Sequence, residues 1–334
     1  MELNKIIPEI PSTRNYWLVR TQGGEFFKEF YFEDYVAIGW NEITDTNLMV
    51  EERREDLINA VKLHFTEKQK PGGIASLLIK FNEEMKKGDI VIIPDSSSNY
   101  IAFGELLEDD IYLEDNIENN EEDEFDETDI NEETKCPYIK RRRVKWLKKQ
   151  AKKDIDIYLY KILNSHHTIS RVKEEYKNIV DRSLYPYYIK DGQAHLVLRV
   201  KQEKNISLVQ LSKLLSNNLD IIDEFNDITE SNISKDDIDI KLNINSAGPV
   251  EIISNPSTIL LIGVVLTFLV GGTFKFKHSK DGETECEIGS EGMIEKIGKF
   301  IQNIGQNNKL NEKVNETVKE LKVEIPVFHV NDEE

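Results

Sequence analysis

The sequence predicts an α+β chain built from several parts, and three observations carry that reading. Residues 14 to 104 alternate short apolar runs with amphipathic stretches, and residues 238–244 alternate apolar and polar side chains strictly. From Ile252 to Phe274 there are 23 residues without a charge, followed by a hairpin signal and two amphipathic stripes. The expected organisation is a first domain over 14–153 with an acidic insert at 105–134, a helical extension over 154–190 and an α+β connector over 191–250. A hydrophobic, transmembrane-like helix over 252–274 follows, then a C-terminal hairpin with amphipathic helices over 275–334.

Each element has a local reason. Tyr16-Trp-Leu-Val-Arg20 reads as a buried strand closed by Gly23-Gly24, and Tyr35-Val-Ala-Ile-Gly-Trp40 as a second. Phe26, Phe27, Phe30 and Tyr31 recur at helical spacing between them. Leu57 to Phe65 and Ile74 to Met85 have amphipathic helical patterns, the second entered through Pro71-Gly72-Gly73. Asp89-Ile-Val-Ile-Ile93, between Gly88 and Pro94, and Tyr100-Ile-Ala-Phe-Gly104 read as strands. Arg143-Val-Lys-Trp-Leu147 alternates like another. Further on, His195–Val200 predicts a strand, and Leu208, Leu211, Leu214 and Leu215 mark one face of a helix near Ser207–Asn217. Asp281-Gly282 signals a hairpin between residues 274–277 and 284–288.

The charge of the chain is unevenly placed. Its net value is −19, but Glu105 to Thr134 holds 16 Asp or Glu and no Lys or Arg, so the other 304 residues sum to −3. Such a run buries too little apolar surface to offset chain entropy, and a disordered loop is expected. Directly after it, Lys135 to Lys153 holds ten Lys or Arg. Global acidity therefore does not exclude an anionic ligand. Cys136 and Cys286 have no CxxC or His-cluster spacing, which predicts free thiols in a reducing cytosol and no metal site. The first residues lack a basic-then-apolar signal pattern, so the N-terminal part is expected in the cytoplasm.

Five of these motifs occur in one order: Tyr16-Trp-Leu-Val-Arg20, Gly23-Gly24, Tyr35-Val-Ala-Ile-Gly-Trp40, Lys87-Gly-Asp-Ile-Val-Ile-Ile-Pro94 and Arg142-Arg-Val-Lys-Trp-Leu147. Together they resemble the EVE-like (PUA-like) modules at the front of Mrr-type, modification-dependent restriction proteins and other phage-defence proteins. The resemblance covers residues 14 to about 190. It implies a small, partly open β-barrel with flanking helices that reads a modified base or nucleotide in an aromatic pocket. The second half lacks a PD-(D/E)xK-like nuclease core and a P-loop motor, so the resemblance extends to a reader and not to cleavage.

Stacking a base needs a flat aromatic face, and edge readout needs donors and acceptors nearby. Trp40 and Tyr100 are the stacking candidates, with Arg20, Ser96 and Ser97 as hydrogen-bonding groups; core packing is the competing reading for Trp40. Arg141, Arg142, Arg143, Lys145 and Trp146 on the basic strand fit phosphate contact, against the alternative of a solvated, charge-blunted edge. No catalytic motif, metal ligand set or cofactor is expected.

In the uncharged stretch, Gly263, Thr267 and Gly271 fall at i, i+4 and i+8, a small-residue ridge suited to self-association in lipid. As one helix, 23 residues reach roughly 34 Å, against a bilayer core of about 30 Å. Pro256 shortens that helix, and Lys275, Lys277 and Lys280 put positive charge on the side opposite a cytoplasmic N-terminal domain. Three outcomes stay open: a permanent span, insertion on activation, or a buried core element. The leading expectation is a defence effector that senses a nucleotide or modified DNA, forms homo-oligomers and perturbs the inner membrane. A modification-dependent nuclease and a binding subunit acting through a partner protein are the alternatives.

Overall fold

The computed structural model describes residues 7–65, 70–115, 135–156, 158–202, 204–242, 248–270, 290–304 and 308–326. The chain divides into two units, Thr13–Leu184 and Met1–Ser12 with Tyr185–Glu334.

In the 13–184 unit the short β-branched and aromatic runs at Tyr16–Val19, Tyr35–Ile38 and Ile90–Pro94 form strands. The elements are β1 (Tyr16–Val19), α1 (Phe27–Phe32), β2 (Tyr35–Ile38), α2 (Arg54–His64), α3 (Pro71–Ile79), β3 (Ile90–Pro94), β4 (Tyr100–Leu106), β5 (Tyr112–Leu113), β6 (Lys140–Ala151), α4 (Leu159–Leu163), β7 (Ile169–Arg171) and α5 (Glu174–Leu184). They make one curled sheet in the order β2-β6-β4-β3-β1-β7, with β5 also on β6. Only β1 and β3 run parallel; the other pairs are antiparallel. Trp17, Val19, Val91, Ile93, Ala102 and Val144 pack under α1 on one face of this sheet. Buried Asp89 pins the start of β1 to β3: its carboxylate accepts from Asn15 N at 2.9 Å, Trp17 Nε1 at 2.8 Å and Lys86 N at 3.0 Å. Gly24, at φ +104°, lies against the next strand connection so closely that a Cβ there would sit 2.0 Å from Ser96 N.

The other unit holds β8 (Tyr187–Lys190), β9 (Gln193–Val200), α6 (Leu208–Thr229), β10 (Asp239–Leu242), β11 (Gly248–Ser254), α7 (Pro256–Leu269), α8 (Ser290–Ile304), α9 (Asn308–Leu321) and β12 (Val323–Glu324). Its sheet runs β10-β11-β9-β12, with β8 also on β9, and is antiparallel throughout. Helix α6 begins with a capping box, Ser207 and Gln210 satisfying each other's backbone N–H, and runs well past the expected stop at Asn217. On the sheet face away from α7, buried Glu251 accepts from Tyr188 Oη at 2.6 Å and contacts His195 Nδ1 at 2.8 Å.

The expected transmembrane helix is overturned: among the described residues no helix is long and apolar enough to cross a membrane. Ile252, Ile253 and Ser254 belong to β11, and Asn255 caps the following helix by accepting from Thr258 N at 3.0 Å. With Pro256 in its first turn, α7 has 14 residues. That is about 21 Å of helix, too short to span. Every residue from Thr258 to Thr267 is buried, with β9, β11, α6, α8 and α9 packed around the helix. Of the expected self-association ridge, Gly263 and Thr267 lie in this core, where Thr267 Oγ1 donates to Gly263 O at 2.9 Å.

Two further expectations meet different structure. The 154–190 stretch is not helical throughout: β7 separates α4 from α5, and β8 ends it. The acidic stretch enters as structure, Glu105 and Leu106 closing β4 and Tyr112–Leu113 pairing with β6. Residues 116–134, Gly271 and the hairpin expected at 274–288 lie outside the described residues.

Leu261 is fully buried on α7, whereas Leu208 on α6 is 80% exposed. Leu261→Ala is expected to lower the unfolding free energy by about 3 kcal/mol, and Leu208→Ala by less than about 0.5 kcal/mol, in urea titrations followed by circular dichroism.

Candidate nucleic-acid interface

Strand β6 carries the expected phosphate-binding residues, and its alternation sends them to different places. Its even positions at the start point inward. Lys140 is buried and donates to Trp40 O at 2.7 Å and Ile43 O at 3.0 Å. Burial pulls its amine down to about 8, with Glu42 opposing. Arg142 is buried as well, donating to Phe81 O at 2.6 Å and to Glu108 O and Asp109 O at 2.8 Å each. Burial lowers this guanidinium to about 10. Arg141 reaches Tyr138 O at 3.1 Å, lies 4.2 Å over the Tyr35 ring and is 3.7 Å from Glu114. The Arg143 and Lys145 side chains are exposed and make no hydrogen bond or ion pair among the described residues.

A register shift then brings the aromatic residues together. Gly104 pairs with Trp146 and Phe103 with Lys148, so Leu147 is the extra residue of a bulge. After it, Lys149 pairs with Ala102, which puts Trp146 and Lys149 on the same face as Ala102 and Gly104. Gly104 is required there, because a Cβ would lie 2.2 Å from Val144 Cγ1 and 2.7 Å from Trp146 Cε3. The Trp146 indole N–H donates to Phe30 O at 3.0 Å, fixing the ring against α1.

Helix α1 supplies the facing rings. Phe27 and Tyr31, one turn apart, stack with centroids 6.1 Å apart, and Tyr31 lies 5.6 Å from Trp146. The Lys149 ammonium sits 5.4 Å from the Phe27 ring centroid, 5.1 Å from Tyr31 and 5.0 Å from Tyr100. Tyr100 is 46% exposed and Phe32, beside Tyr31, is 70% exposed. Beyond Trp146 lies an open groove of about 680 Å³, walled by Arg143, Lys145 and Tyr112 together with Glu33, Asp34 and Glu114. Arg143 stands 5.5 Å over the Tyr112 ring. The result is a strip of π-faces from Tyr100 through Lys149 and Tyr31 to Trp146, while Arg143 and Lys145, turned to the other face of β6 by strand alternation, line the adjoining groove.

Of the residues expected from sequence, Tyr100 and Trp146 lie on this strip, and Arg143 and Lys145 line the groove beside it. Ser96 and Ser97 lie in the connection leading into Tyr100, with Ser97 at φ 59°, and Asp95 accepts from Tyr100 N at 2.9 Å. Arg20 clamps another segment, donating to Leu163 O and to Ser165 O. Trp40, at φ 59°, wedges half-buried between two hydrophobic clusters. The strip also contains Tyr31 and Lys149 over buried Phe27, and the groove Tyr112, none of which the sequence reading singled out as site residues. The helical spacing of Phe27 and Tyr31 was a visible signal, but the bulge that sets Lys149 beneath them was not. Among the described residues no group of three or more His, Cys, Asp and Glu is placed to hold a metal ion.

Residues 16–173 match a family described as a domain of unknown function (DUF8426), a span lying within the 13–184 unit. No curated protein and no solved structure matches the chain.

Arg142→Met is expected to destabilise the protein by about 3 kcal/mol, since it orphans buried carbonyls, whereas Arg143→Ala and Lys145→Ala stay within about 0.5 kcal/mol. Urea titration of the three variants checks this. Lys140 adds a pH signature. Its amine is near 8 folded and near 10.5 unfolded, so the unfolded chain binds the proton more tightly between those values. Stability from this group therefore rises as pH increases through that window. The stability difference between wild type and Lys140→Met should shift in favour of wild type from pH 7.5 to 9.5.

Proposed function

We propose that the 13–184 unit is a nucleotide- or nucleic-acid-binding module that takes an unpaired base on the Tyr100–Tyr31–Trp146 strip. One observation carries this reading: a lysine ammonium held within 5.4 Å of three ring centroids on a partly exposed face, with two exposed cations lining the adjoining groove. Exposed aromatic faces next to Lys and Arg suit base stacking combined with phosphate contact, which is how proteins hold single-stranded or flipped-out nucleotides. A folded duplex offers its bases only edge-on and gives such a strip little to stack on. The EVE-like resemblance over residues 14 to about 190 points to the same ligand class and adds a modified base as the species of interest. In this reading the expected defence effector keeps its sensing half. The membrane-acting half is withdrawn together with the transmembrane helix.

The test is fluorescence anisotropy with labelled single-stranded DNA and RNA 12-mers, a matched duplex, and a duplex carrying modified cytosines. Single strands, or the modified duplex above the plain one, are expected to bind. Tyr100→Ala should weaken the preferred probe about five- to a hundredfold, the range for losing one base–aromatic stack. With Arg143 and Lys145 each meeting one phosphate, log K should fall against log salt with a slope of about −1.4. Absence of binding to every probe at 100-fold the protein's assay concentration, or an unaltered Tyr100→Ala variant, would overturn the proposal.

A further inference from the structure

Strand β10 is the end strand of its sheet, hydrogen-bonded to β11 on one side alone among the described residues. All four of its residues are exposed, including Ile240 at 40% and Leu242 at 41%. An open edge with apolar side chains is a template for another strand, and proteins normally blunt such edges with charge, proline or a covering segment. Here the edge carries one acid and one base, Asp239 and Lys241, two positions apart with Ile240 between them.

That pattern is self-complementary. In an antiparallel pairing of β10 with a second copy of itself, a twofold axis through Ile240 sets Ile240 against its own counterpart. Asp239 then meets Lys241 of the other copy, and Lys241 meets Asp239. Ile238, the residue before the strand, falls opposite Leu242 in the same register. The apolar residues 238, 240 and 242 share one face, the side of the sheet that Val250 and Ile252 of β11 turn toward the hydrophobic core. Asp239 and Lys241 share the other. Each position therefore meets its complement, and shifting the register by one residue would set apolar residues against charges. Shifting it by two in either direction would place Asp239 against itself or Lys241 against itself.

We infer that β10 is a homodimerisation edge, through which two copies join their sheets into one continuous antiparallel sheet. The contact is isologous, as a closed twofold dimer requires. The occupant is a second copy because the one charge pair on the strand is balanced by its own reversal and needs no other partner. The paired edge is short, so the dimer forms and dissociates with concentration.

Sedimentation velocity of the full chain over a hundredfold concentration range tests this. Wild type should pass from monomer to dimer. Asp239→Lys puts lysine against lysine twice in the dimer and should weaken it at least tenfold, while far-UV circular dichroism stays that of wild type. Lys241→Asp should likewise fail to self-associate, yet an equimolar mixture of the two variants should form a heterodimer, because both charge pairs are then restored. Since Lys241 also lies beside Glu251 across the β10–β11 pair, Ile240→Cys supplies an independent readout. It should crosslink to its own copy on mild oxidation, above the wild-type background. Four results overturn the inference: a monomer at all concentrations, a dimer indifferent to Asp239→Lys, no heterodimer from folded variants, or no crosslink above background. A monomer whose 239–242 amides resist hydrogen exchange would show that the chain covers its own edge instead.

Discussion

The 13–184 unit depends on burying two cations of one strand. Strand β6 pairs with β2, β4 and β5, and its inward side chains at Lys140 and Arg142 reach past the sheet to backbone carbonyls. Removing a charge from water is costly unless hydrogen bonds replace the solvent. Here the replacements are carbonyls of Trp40 and Ile43 for Lys140, and of Phe81, Glu108 and Asp109 for Arg142. Those carbonyls belong to segments following β2, α3 and β4 that have no strand partners of their own. The buried cations therefore order connections that backbone pairing leaves open. The same alternation decides what remains for a ligand, since Arg143 and Lys145 must point outward when Arg142 and Val144 point in.

The uncharged stretch follows a parallel logic with apolar side chains. A helix that is hydrophobic on every side belongs either in a membrane or in the middle of a protein, and length separates the two. Asn255 and Pro256 fix where α7 starts, and the residues before them are used by β11. What is left is too short for a bilayer and has a sheet and three helices around it. The small residues read as a lipid-facing ridge serve that enclosure. Gly263 and Thr267 bring no bulk, and the threonine hydroxyl is satisfied by the Gly263 carbonyl one turn back.

Much of the fold was legible because its signals are local. Strands β1 to β4 are rich in β-branched or aromatic residues, β2 stops before Gly39 and β3 runs from just after Gly88 to Pro94, and the start of α6 is written as Ser207 followed by Gln210. β7 was missed because three residues, Ile169–Arg171, give no period to read. The site was legible in part for the same reason. Tyr100, Arg143, Lys145 and Trp146 were found as residue types that suit the chemistry. Nothing local separates Arg142, held internally, from Arg143, left exposed; strand alternation does so only once the inward face is known. Lys149 needed still more, since a single bulged residue moves it onto the Trp146 face. Arg20 looked like a ligand donor but faces the carbonyls of Leu163 and Ser165, a partner more than 140 positions away in sequence.

The charge around the strip narrows the ligand further than the rings do. Glu33, Asp34 and Glu114 share the groove with Arg143 and Lys145, so a phosphate entering there meets acids as well as cations. Such a groove gains little from counterion release, the main source of affinity for long polyanions. Around Lys149 the balance differs, with three rings and, among the described residues, no carboxylate among its close partners. A ligand that places a base there and at most one or two phosphates near Arg143 and Lys145 gains both contacts and avoids most of the repulsion. The arrangement thus favours ligands rich in exposed base face and poor in charge, a single nucleotide or one unpaired base of a strand over a length of intact duplex.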